Sequence, residues 1–270
     1  MVNQGVSQPP APFLDCLADY SRQVSGHFDA INRLAAQGEF EGAITVMADA
    51  IKNGGVLQAF GAGHSFGFAM EVAGRAGGLI PTHPISLQSL VFGGKLPVAA
   101  LNDPNLEREA ATAEQLYGLY QIHPADAFLI ASNSGANGAT VGLALLAQAD
   151  GHKVIAVTSL AHSSGVKSKH PCGKRLFEVA DFVIDNQGPY GDTGIDLGGG
   201  LAVGAVSSIT AAYIAQLLTI GTAIRLLDEG IQPPLYVSSN VPEGDAHNDA
   251  LVERYGERVD PYSFRSGPAA

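Results

Sequence analysis

Cysteine is scarce in this chain. The two present, Cys16 and Cys172, lie far apart and form no CxxC pair, which excludes a disulfide framework. They read as free thiols of a reducing compartment, so the chain is expected in the cytoplasm. Positive charge is scarce too: 15 Lys and Arg stand against 26 Asp and Glu, a net charge of −11. That balance argues against nucleic acid as a partner. The opening residues, MVNQGVSQPPAPF, lack both a basic start and an apolar core, so they do not read as a signal peptide. No Walker A pattern occurs. Gly61, Gly63 and Gly67 miss the dinucleotide spacing by one, and no acidic residue follows the presumed second strand, where Thr82, His83 and Pro84 stand. His162, His170 and Cys172 share a loop but match no standard zinc spacing, so no metal and no cofactor are expected. One long uncharged run exists, Leu197–Ile224. It carries Ser207, Ser208, Thr210, Gln216, Thr219 and Thr222 with no aromatic belt, and reads as a core helix packed under a sheet, without a membrane.

What is present is apolar and glycine-rich: 46% hydrophobic residues and 33 glycines in 270 positions, enough for a sizeable core. Residues 1–10 are polar and Pro-rich and are expected to be disordered; 11–270 read as a single domain. Phe13–Gln37 and Glu41–Lys52 carry apolar residues at helical spacing and form a leading helical arm. Val56–Phe60 reads as the first strand, Phe66–Arg75 as a helix, and Leu79–Pro84 as the second strand. Asn105–Tyr120 reads as a helix capped by Asp103. Asn186–Gly200 reads as a loop, the long helix follows to Glu229, Leu235–Val237 reads as an edge strand, and Asn248–Glu257 as a last helix. Strands alternate with helices, so the class is α/β with a parallel sheet.

The chain is organised around Ala127–Ser159. Phe128–Ala131 and Val154–Val157 are short apolar runs, and Asn137–Gln148 between them is helical in pattern: a parallel βαβ unit. The turn after the first of these strands is Ser132-Asn133-Ser134-Gly135-Ala136-Asn137, with two hydroxyls, two amides and no charge. Backbone amides of such a turn, beside a helix N-terminus, fit an anion without any Lys or Arg. Gly61-Ala62-Gly63-His64-Ser65 is a second turn of the same kind. In an open parallel sheet both open on one edge. The bland alternative is a pair of tight turns with capping serines.

Gly63-His64-Ser65-Phe66-Gly67 also matches the nucleophile elbow of α/β-hydrolases, with Asp192 and His247 in the right order for a triad. Against it, two helices precede the first strand and no HGGG loop lies upstream. Glu71 is the sole Asp or Glu between Asp49 and Asp103, and its neighbours Ala69, Met70, Val72 and Ala73 are apolar. Such surroundings suit a general base; the alternative is an i,i+4 pair with Arg75. His247, at the start of the last helix, reads as a second acid/base or as an exposed cap-region histidine.

With these residues in hand, the chain resembles the SIS (sugar isomerase) domain proteins. VLQAFGAGHSFGFAMEVAGRAGG resembles the first phosphate turn and catalytic-glutamate helix of the sedoheptulose-7-phosphate isomerase branch, with Glu71-x-x-Gly74-Arg75 matching. LIASNSGANGATVGLALLAQADGHKVIAVTS resembles the phosphate loop of the whole family, with Asn137 in place of its last hydroxyl. The resemblance implies a three-layer sandwich with a five-stranded parallel sheet. It implies a phosphorylated sugar bound by Gly63, His64, Ser65, Ser132, Asn133, Ser134, Gly135, Asn137, Thr158 and Ser159. Glu71 is then the base of an aldose–ketose isomerase; the heptose branch's catalytic His on the long late helix has no counterpart in Leu197–Glu229, and either His247 takes over that role or the chemistry differs. A sugar-phosphate sensor and a lyase or etherase are the other activities that family members carry. Relatives are usually dimers or tetramers, so a homo-oligomer is expected.

Overall fold

The computed structural model describes residues 11–264; the tail expected at 1–10 lies outside them. Two helices lead, α1 (Ala11–Ala36) and α2 (Glu41–Lys52). There follow β1 (Leu57–Gly61), α3 (Phe66–Val72), β2 (Thr82–Ile85), a one-turn α4 (Ser89–Phe92), α5 (Ala111–Tyr117), β3 (Ala127–Ala131), α6 (Gly138–Ala149) and β4 (Val154–Thr158). A short α7 (Leu160–Ser164) and β5 (Phe182–Asp185) complete the sheet strands. A hairpin of β6 (Thr193–Gly198) and β7 (Leu201–Ala205) leads into the long α8 (Ser207–Asp228), and α9 (Gly244–Tyr255) comes last.

β1 to β5 form one sheet in the order β2-β1-β3-β4-β5, every pair parallel. Side chains alternate across it, because successive strand residues point to opposite faces. Leu57, Ala59, Leu129, Ile155 and Val157 face α1, α2, α3 and α8. Phe60, Ile85, Phe128, Ile130 and Ala156 face α5 and α6. The result is the expected three-layer α/β sandwich. The strand order reverses between β1 and β3, which leaves a crevice at the carboxyl ends of these two strands.

Four expectations about elements need correction. The LGGG of Leu197–Gly200, at the head of the uncharged run read as a core helix, is a hairpin turn, since Gly198, Gly199 and Gly200 all take positive φ (83°, 63°, 82°). The helix at Asn105 begins only at Ala111; Asp103 Oδ1 accepts from Asn105 N at 2.8 Å and closes a local turn instead. The Leu235–Val237 strand reduces to a single antiparallel bridge from Leu235 to Leu79. Helix α8, uncharged as far as Ile224, is long and apolar enough to cross a membrane by composition, yet one face packs on α2 and α3. It is not buried all round: Ile220, Ile224 and Leu227 are each more than half exposed.

Candidate functional site

The two serine turns leave neighbouring strands at the crevice. Gly61 closes β1, and the Gly63–Ser65 turn folds straight back over it: a Cβ at Gly61 would lie 2.1 Å from the Ser65 carbonyl oxygen. Gly63 takes φ 55°, which lets the chain reverse there. On β3, Ala131 hands over to Ser132, whose Oγ accepts from Gly135 N at 3.1 Å. That leaves the Ser132 hydroxyl proton available to a ligand. Gly135 takes φ 58° and completes the turn.

A narrow cleft lies between these turns. Ser65, Ser132 and Asn133 line it together with Asn186, Ser207 and Ser208. The two turns therefore open on common space, as their sequence position implied. Asn186 holds Asn133 in place, its Nδ2 donating to Asn133 Oδ1 at 3.1 Å. Ser207 and Ser208 begin α8, and they are residues that sequence reasoning missed as site members. Their signal was visible as a Ser-Ser pair at the head of a long apolar run. Asp192, in a left-handed conformation at φ 68°, caps that helix start. Its carboxylate accepts from Ser207 N at 2.8 Å and Ser207 Oγ at 2.7 Å.

Other residues fall differently. Thr158 and Ser159 are fully buried. Thr158 Oγ1 donates to the Ser132 carbonyl at 2.7 Å, and Ser159 Oγ to the Gly188 carbonyl at 2.6 Å. Both hydroxyls brace the turns rather than face the cleft. The N-terminus of α6 is also taken: Gly138 N donates to the Arg108 carbonyl and Ala139 N to the Glu107 carbonyl, each at 3.1 Å. Glu107 and Arg108, in the part of Asn105–Tyr120 read from sequence as helix, lie over it instead. Asn137 Oδ1 accepts from Lys169 Nζ at 2.9 Å, which brings a cation to a turn that has none of its own. Ser134 Oγ accepts from Ala136 N at 3.4 Å. His64 is exposed, and Gly63 lines a neighbouring cavity with Glu107 and Arg108.

Glu71 sits six residues beyond Ser65, about 9 Å farther along the chain axis at helical rise. It is absent from the lining of the serine cleft. Its carboxylate forms an ion pair with Arg75 and accepts from Gln216 Nε2 at 2.6 Å, in the seam between α3 and α8. His247 lies on α9, whose Leu251, Val252 and Tyr255 pack on Val56 and Ile80 just ahead of β1 and β2. That is the opposite edge of the sheet from the serine turns. Its Nε2 lies 3.0 Å from the Leu235 carbonyl oxygen. The structure thus does not join His247 to Glu71 within one chain. Nor does it assemble the hydrolase triad: Ser65, Asp192 and His247 each engage different neighbours.

A family model described as SIS domain matches residues 19–159, more than half of the chain. The chain belongs to the SIS domain family. A UPF0309 protein of Halalkalibacterium halodurans is 35% identical over 243 residues, covering 88% of this chain and 96% of that protein. A UPF0309 protein of Streptomyces coelicolor is 36% identical over 253 residues, covering 93% and 97%. Among solved structures, a phosphoheptose isomerase from Francisella tularensis superposes with a TM-score of 0.50 at 15% identity, over 77% of this SIS chain and 97% of that one. At that identity the likeness speaks for the fold alone.

Proposed function

We propose that this SIS chain binds a phosphorylated sugar, with the phosphate in the serine cleft, and interconverts its aldose and ketose forms. The observation that carries the proposal is the convergence of Ser65, Ser132 and Asn133 on one cleft at the switch point of a parallel sheet. Hydroxyl and amide donors hold an anion there without a formal positive charge in the cleft wall. The phosphoheptose isomerase with the same fold supports the substrate class.

In this reading the sugar, held by its phosphate in the cleft, extends along α3 toward Glu71, which removes the proton next to the carbonyl of the ring-opened form, giving an enediol, and returns it at the adjacent carbon. A second group moves the proton between the two oxygens. His247 takes that part only from another subunit, since its own α9 sits at the far sheet edge. The exposed apolar residues Ile220, Ile224 and Leu227 on α8, with Phe13, Leu14 and Leu17 on α1, support a homo-oligomer. No redox cofactor is required by this chemistry. A second reading, a sugar-phosphate sensor without turnover, is favoured by Glu71 being held by Arg75 and Gln216.

The test is a thermal-shift and turnover screen against a panel of sugar phosphates, with inorganic phosphate alongside. A ligand at 100 times its dissociation constant stabilises the chain by about 2.7 kcal/mol. Binding with isomer exchange that Glu71→Gln abolishes supports the isomerase. Tight binding without exchange supports the sensor, and release of a second product supports a lyase or etherase. No shift with any of these compounds overturns the phosphosugar reading.

A further inference from the structure

A second polar site lies at the opposite edge of the sheet, and nothing in the serine cleft uses it. Gln58 on β1 and His83 on β2 are register partners on the same sheet face. Both are almost wholly buried, at 1% and 2% exposure, as is Tyr120 at 3%. Gln58 Oε1, both ring nitrogens of His83, Tyr120 Oη and Arg258 Nε are all buried without a hydrogen-bond partner. These side chains line one small cavity, which Glu257, Ser263 and Phe264 of the C-terminal segment close over. Ser89 and the main chain of Asp260 stand close enough to Tyr120 and His83 to act on them as hydrogen-bonding neighbours, but neither completes a bond of good geometry.

Five orphaned polar atoms around one cavity are far more than a native interior leaves unsatisfied by chance, since each costs about 1–3 kcal/mol. Their chemistry limits what completes them. Gln58 Oε1 only accepts, because the amide nitrogen of that side chain is already given to Asp126 Oδ2 at 3.0 Å. Arg258 Nε only donates. Tyr120 does either, and so does neutral His83, whose ring burial keeps it uncharged well below its ordinary range, at about 4. Of the charged groups here, Arg258 is paired with the fully buried Asp126 carboxylate, and Glu257 at the mouth is exposed to solvent. A charged occupant would therefore add an unbalanced charge in a low-dielectric space. A neutral occupant that donates and accepts equally, small enough for an enclosed pocket, is water.

We infer that this cavity is a hydrated lock: ordered water bridges Gln58, His83, Tyr120 and Arg258 and fastens the C-terminal segment to the sheet. The direct half of the same lock is visible. Arg258 Nη1 donates to the Gly54 carbonyl at 3.0 Å, and Asp126 further accepts from Val56 N at 2.8 Å and His123 N at 3.0 Å. The water completes it from the β2 side and so sets where α9 rests against the strand starts.

Two measurements on the full chain decide the matter. A high-resolution crystal structure of the unaltered protein is expected to show water within hydrogen-bonding distance of His83, Tyr120 and Gln58. A dry cavity, or an organic molecule in its place, overturns the assignment. In solution, Tyr120→Phe keeps the ring and removes one bridging group. Amide exchange across residues 256–264 is then expected to rise roughly fivefold, the equivalent of one hydrogen bond, with exchange in β3 and β4 unaltered. Unchanged or slower exchange in that segment overturns the lock, because deleting a hydroxyl from a dry apolar contact does not loosen it.

Discussion

Gln216 on α8 donates its side-chain amide to Glu71 Oε1 on α3 at 2.6 Å, and Arg75 pairs with that same oxygen. Two helices therefore fix the one acid that the sequence singled out. In the isomerase reading, Glu71→Gln lowers turnover by about 10²–10⁴-fold, the usual weight of a general base. Sugar-phosphate binding is retained. Gln216→Leu frees the carboxylate and lowers turnover by about tenfold through lost positioning. A Glu71→Gln variant as active as the parent would remove Glu71 from the chemistry.

Ser65 and Ser132 each offer one hydroxyl to the cleft. A hydrogen bond to a charged group is worth about 1.5–3 kcal/mol. Each serine-to-alanine change is expected to weaken sugar-phosphate binding by roughly 10–100-fold, read by calorimetry. Thr158→Val acts differently: it removes the brace on the Ser132 carbonyl and is expected to lower stability more than affinity.

Gly61→Ala places a methyl 2.1 Å from the Ser65 carbonyl and 2.7 Å from Phe66 N. Both obstacles are backbone, so neither yields as a flexible side chain does. Destabilisation of about 2–3 kcal/mol is expected, at the upper end for overpacking, with loss of ligand binding because the turn shifts. Chemical denaturation measures it. Gly67→Ala, with open space at its Cβ, serves as the control.

Stability should fall with acid through His83. An unfolded histidine titrates near 6.5, whereas burial pushes this one down to about 4, against the opposing pull of the Asp260 main chain and of the Asp260 and Asp126 carboxylates. Glu257 and Arg258 line the same cavity. Below 6.5 the unfolded chain takes up a proton that the folded chain refuses. Stability is thus full above about pH 6.5 and declines toward pH 4, by up to about 3 kcal/mol. Glu178, held at about 2 by Arg175, loses its contribution only below its ordinary 4.5 and so touches only the acid end of this window. Urea unfolding across pH 4–7 reads the slope. His83→Gln is expected to flatten it, and identical slopes in parent and variant would rule His83 out as the cause.

Local pattern and tertiary arrangement contributed different things. Short apolar runs, helical spacing and glycine-bounded turns made β1, β3, α6 and β4 legible, because a buried parallel strand has no polar face to disguise it. The βαβ unit and the two serine turns followed from that pattern. The LGGG turn was misread because three glycines head a helix or reverse a hairpin equally well until a second strand pairs with the first. The stretch from Asn105 looked helical until Glu107 and Arg108 spent their carbonyls on α6.

The chain's own order of residues settled that two hydroxyl-rich turns end neighbouring parallel strands, since strand, turn and helix follow from contacts a few residues apart. Folding alone decided who meets whom at long range. It brought Asn186, Ser207 and Ser208 to the cleft, gave Glu71 to Gln216, and set His247 at the far edge of the sheet. Those outcomes depend on how whole helices pack on a twisted sheet, and nothing in a run of ten residues carries that information.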